Sequence, residues 1–125
     1  MTPTLPAHET AFKALQELTN KAYLKTGKVR EYYFELSDIV RHYVENRFQL
    51  RAPEMTTEEF LSKLKDSNVL NAGQKTLLKD FLSHCDMVKF AKYLPDENES
   101  ESSYELAKRF INETKRELDA DKRRN

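Results

Sequence analysis

The chain has 125 residues, 38% hydrophobic and 34% charged, a length and composition that suit one folded domain with a sizeable core. Lys plus Arg and Asp plus Glu both number 21, so no net field draws in a polyanion or an acidic partner from a distance. Two glycines and four prolines are too few for the turns of a sandwich or barrel, which recur about every 8 to 12 residues.

Residues 1–6, MTPTLP, read as a linker. Helix one is predicted over about 7–25, with Ala7, Ala11, Leu15, Leu18 and Ala22 on one face and Gly27 as the left-handed stop. The turn that follows is so short that helix two must return antiparallel to helix one. Helix two, from Lys28, carries an apolar stripe at Val29, Tyr32/Tyr33, Leu36, Ile39/Val40, Tyr43/Val44 and Phe48, the recurrence of a buried helical face. Ile39 is expected at the centre of that stripe. Arg30, Glu35, Asp38, Arg41, His42, Glu45 and Asn46 form the polar side, and Pro53 ends the helix.

Thr56-Thr57-Glu58-Glu59 is a capping box that opens helix three over about 57–65, burying Phe60, Leu61 and Leu64. Asn71 to Gln74 repeats the box in weaker form before helix four, whose stripe is Leu77/Leu78, Phe81/Leu82, Cys85, Val88 and Ala91. Asp86, Phe90 and Tyr93 fall off that stripe, which calls for either a bend near Ser83–Asp86 or neighbours on two sides. Pro95–Ser103 is predicted to be an acidic surface loop. Helix five then runs through Leu106/Ala107, Phe110/Ile111, Thr114 and Leu118, and residues 119–125 form a polar frayed tail. The expectation is an all-α fold over 7–118, a compact bundle of about five mostly antiparallel helices, with helix two touching helices one, three and four.

The side chains name no chemistry. His84 and Cys85 are neighbours on a helix and point about 100° apart, so the imidazole cannot activate the thiol; Cys85 reads as a small buried hydrophobe. As the single cysteine, it excludes an internal disulfide and fits a reducing compartment. His8, His42 and His84 lack the spacing that places two metal ligands on one helix face, and are expected to face solvent. Glu58-Glu59 and Asp96-Glu97 fit helix N-termini and loop solvation. No catalytic, cofactor-binding or metal-ligating residue is assigned. DNA or RNA binding is the alternative, weakened because Lys63 and Lys65 are offset by Glu58, Glu59 and Asp66; an enzyme domain is the more distant one. Arg41, Arg47, Asp86 and Lys89 are the candidate interaction or interhelix ion-pair positions, with Arg41 and Asp86 the expected pair or, on the plainer reading, two separate surface charges.

YYFELSDIVRHYVENRF, followed by APEMTTEEFLSKL and FLSHCDMVKFAKY and preceded by PAHETAFKAL, resembles the cytoplasmic C-terminal domain of BatD-like bacterial membrane proteins. It is similar, too, to the short membrane proteins encoded beside MoxR-type AAA ATPases. The likeness runs from about Pro6 to Thr114, with Arg41, Arg47, Thr57, Glu59, Asp86, Lys89 and Phe90 among the matching positions. The resemblance implies a non-catalytic adaptor or scaffold that works with a MoxR-type AAA ATPase and von Willebrand A proteins. It also implies a cytoplasmic location, with membrane attachment only through an upstream helix.

Overall fold

A computed structural model describes residues 5–50, 55–66 and 68–115. It contains five helices: α1 (Ala7–Asn20), α2 (Val29–Phe48), α3 (Thr57–Lys65), α4 (Ala72–Phe90) and α5 (Glu97–Thr114). The Pro53 stop, residues 1–4 of the expected linker, Leu118 and the tail lie outside the described residues.

Three helices start on reciprocal caps. The Thr56 hydroxyl accepts from the Glu59 amide at 3.2 Å while the Glu59 carboxylate accepts from the Thr56 amide. Asn71 and Gln74 do the same for α4, and Asp96 and Glu99 for α5. Each box satisfies donors that a helix start leaves without partners. The third box overturns the predicted loop: the segment from Glu97 onward is helix. Its buried positions include Ser100 and Ser103, so the inner face of the first turns is small and polar and shows no apolar stripe in the sequence.

Helix α1 ends at Asn20, short of the predicted boundary, and residues 21–27 form turns. Gly27 has φ 77°, as a left-handed stop requires, but Ala22 has already left helical geometry at φ 54°. The connection is tied to α2 at Glu35, which accepts from the Lys21 ammonium and from the Tyr23 hydroxyl.

Helix α2 packs directly on α1, α4 and α5, whereas α3 packs on α4. The expected α2–α3 packing is therefore replaced by a reach of side chains, the Arg41 guanidinium lying 5.1 Å from the centre of the Phe60 ring. The start of α2 meets the end of α4, where Arg30 Nε donates to the Lys89 carbonyl at 2.9 Å, so these helices are antiparallel. Tyr33 meets Ser103 and Tyr43 meets Thr114, so α2 and α5 run parallel. The fully enclosed residues of α2 are Tyr33, Leu36, Val40, Tyr43 and Val44, while Ile39 is only partly buried. Helix α4 touches α2, α3 and α5; of the residues off its main stripe, Asp86 is half-buried and Phe90 is exposed against Phe34, while Tyr93 lies beyond its end.

Candidate functional site

The four positions singled out in the sequence are not brought together as ion pairs. Arg41 is half-buried over Phe60, and its Nε and Nη2 atoms are enclosed without a hydrogen-bond partner. Asp86 is half-buried on α4, and no ion pair joins it to Arg41 among the described residues; the ring of Phe60 takes the place expected for the carboxylate. Arg47 donates through Nε to the Thr114 carbonyl at 2.9 Å, with its guanidinium over Phe48. It therefore satisfies an open carbonyl at the end of α5 and ties α2 to it.

Lys89 is buried, with its ammonium 3.1 Å from the Ser37 hydroxyl and 4.9 Å and 5.1 Å from the ring centres of Phe34 and Phe90. Phe34 and Phe90 meet edge to face at 5.8 Å, and Arg30 lies over the other aromatic partner, Phe34. This cation–aromatic cluster closes the junction of α2 and α4, and exposed apolar residues occur at and just beyond the end of α4. Phe90 is 67% exposed, Leu94 82% and Met87 48%. Lys92 is exposed beside them in the chain, and the exposed Arg30 reaches the same end of α4 through its bond to the Lys89 carbonyl. Sequence reasoning located Phe90 as an off-stripe residue and as one of the positions that carry the family resemblance. Arg30 was legible only as a polar-face residue of α2 and Phe34 was not singled out, because their partners come from about 60 residues along the chain.

A second polar cluster lies inside the bundle. The Tyr33 hydroxyl is 3.0 Å from Ser103 Oγ, 3.4 Å from Ser100 Oγ and 3.2 Å from His84 Nε2. Ser103 directs its own proton to the Glu99 carbonyl, which leaves its oxygen to accept from Tyr33. His84 is thus half-buried against Tyr33 and Tyr93, and His8 is buried; of the three histidines expected to face solvent, only His42 is exposed. Cys85 is sealed in the core, and burial pushes its thiol up to about 12. At neutral pH it stays protonated and is a poor nucleophile. Among the described residues no three His, Cys, Asp or Glu side chains converge as a metal site needs.

Two of the surface grooves among the described residues lie between elements of the fold. One, of about 400 Å³, lies between the α1–α2 connection and the first turns of α5, with Tyr23, Tyr32, Tyr104, Glu97, Glu101 and Glu105 among its walls. The other, of about 410 Å³, lies between α3 and α4, with an apolar floor at Leu61, Leu64 and Leu78 and Lys65, Lys75 and Lys79 around it. In the first groove Tyr23 and Tyr32 have phenols raised above their ordinary value, Tyr23 by its bond to Glu35 and Tyr32 by burial. Both are protonated at neutral pH, so they are hydrogen-bonding groups and not bases. No described helix is long and apolar enough to cross a membrane.

Comparison with protein-family models, with curated proteins and with solved structures found no match.

Proposed function

We propose that this domain is a non-catalytic adaptor that docks on another protein through the exposed end of α4. The observation that carries the reading is the exposure of Met87, Phe90 and Leu94, which follow one another at and just beyond the end of α4, with Phe90 held in place by the cation–aromatic cluster. Exposed apolar groups concentrated in one place are characteristic of interaction sites, and an aromatic anchor with a neighbouring Arg is the usual centre of such a site. The exposed Arg30 and Lys92 favour a partner segment that combines apolar and acidic side chains.

The sequence resemblance to BatD-like domains supplies the candidate partners, a MoxR-type AAA ATPase and von Willebrand A proteins, and a cytoplasmic setting with any tether upstream. The test is binding of the purified domain to those proteins from the same source, beside a Phe90→Ser/Leu94→Ser variant. Retention of a partner by the parent and its loss by the variant, at equal melting temperature, supports the reading. Equal retention by both removes the surface from consideration, and retention by neither removes these partners.

A further inference from the structure

The groove at the start of α5 carries chemistry that the docking surface does not use. Glu97, Glu101 and Glu105 are spaced four residues apart on one helix, so their carboxylates fall on one face at intervals of about 6 Å. All three line the groove and are exposed. Its three tyrosines differ in what they offer. The Tyr23 hydroxyl is committed to Glu35, and that of Tyr104 to the Leu15 carbonyl and the Thr19 hydroxyl, so these two present mainly their rings. Tyr32 is only 5% exposed, yet it lines the groove, and its hydroxyl has no hydrogen-bond partner among the described residues and is not sealed from solvent. A buried side chain at the wall of a groove whose one polar atom has no partner in the protein is available to a ligand that enters there.

We infer that this groove binds a linear aliphatic polyamine, its ammonium groups on the Glu97, Glu101 and Glu105 carboxylates and one of them reaching the Tyr32 hydroxyl. Ammonium groups separated by three or four methylenes are roughly 5 to 6 Å apart, from bonds of about 1.5 Å, which matches the interval of the carboxylates. The methylene segments lie against the rings of Tyr23 and Tyr104, which favour cations as well. The groove's own cations do not cancel its charge, since Lys25 is a single positive wall and Lys21, over Tyr23, is paired with Glu35. Lys108 lies over Tyr104 and limits the ligand to the rest of that ring.

The test is titration of spermidine into the full chain in low-salt buffer, followed by amide NMR, with Mg²⁺ at matched ionic strength and a lysine-rich peptide in parallel. Spermidine is expected to give saturable shifts at Tyr32, Tyr104 and residues 97–105. Tyr32→Phe is expected to weaken its Kd roughly tenfold without lowering the melting temperature, since no internal hydrogen bond is lost. Glu101→Gln, at an exposed position, is expected to weaken it similarly. Equal affinity for Mg²⁺, tighter binding of the peptide at the same residues, or unchanged binding by both variants overturns the assignment. None of these outcomes bears on the docking surface of α4.

Discussion

The ammonium of Lys89 on α4 lies 3.1 Å from the Ser37 hydroxyl on α2, inside the bundle and over the rings of Phe34 and Phe90. No carboxylate is needed to hold it there: one hydroxyl and two aromatic faces take the place of a counter-ion. Such an arrangement contributes less by its charge than by its packed stem. Lys89→Met, which keeps the stem, is expected to stay within about 1 kcal/mol of the parent in urea denaturation. Lys89→Ala, which opens space between α2 and α4, is expected to cost about 1 to 3 kcal/mol. Equal losses from both would mean that the ammonium and its contacts dominate.

The Tyr33 hydroxyl joins three helices, with Ser100 and Ser103 of α5 and His84 of α4 around one hydroxyl of α2. Tyr33→Phe keeps the ring in the core and leaves those groups without their common partner, at an expected cost of about 1 to 2 kcal/mol. A double-mutant cycle with Ser103→Ala separates the pair from its surroundings. Additive losses would show that the two hydroxyls do not interact in solution.

These two contacts also mark where the sequence stops being informative. Helical periodicity gave the existence of all five helices, and the residue types at Thr56–Glu59 and Asn71–Gln74 gave two of their starts. The third start escaped because Asp96–Glu99 stands in a run of Ser, Asn and Glu whose composition resembles a loop. The serines that face inward there match the Tyr33 hydroxyl, a partner some 70 residues away that no local pattern reveals. Arg41 was legible as an edge residue of α2 but not its partner, because a guanidinium stacks on an aromatic ring as well as pairing with carboxylates and no local pattern tells which it meets. The early end of α1 depends on Ala22 in a left-handed conformation, which alanine itself does not favour; the Glu35 contacts of Lys21 and Tyr23 fix the connection around it.

The two neighbours at the middle of α2 respond differently to charge. Val40 is fully enclosed, whereas Ile39 lies at the margin of the core. Val40→Asp places an unpaired carboxylate in the interior at a cost of several kcal/mol, against a total stability of about 5 to 15, and is expected to abolish the cooperative thermal transition. Ile39→Asp lets the carboxylate turn toward water and is expected to lower the melting temperature with the fold retained. Circular dichroism melts of both variants decide the matter, and unfolding by Ile39→Asp would place the edge of the core one residue further out.

Glu35 makes the stability of the α1–α2 connection depend on pH. Partial burial pushes its carboxyl up, but the bonds from Lys21 and Tyr23 outweigh this and hold it below its ordinary value of 4.5. A group whose value is lower in the folded than in the unfolded chain stabilises the fold when ionised. Its contribution is therefore complete above the ordinary carboxylate value and is lost as the pH falls through the depressed folded value. Glu35→Gln is expected to be less stable than the parent at pH 7, by the modest amount typical of half-exposed pairs, and the difference is expected to shrink on acidification and to be smaller in high salt. Urea midpoints of the two proteins measured from pH 7 down into the acid range supply the comparison. A gap that stays constant across that range would assign the effect of Glu35 to packing and not to its charge.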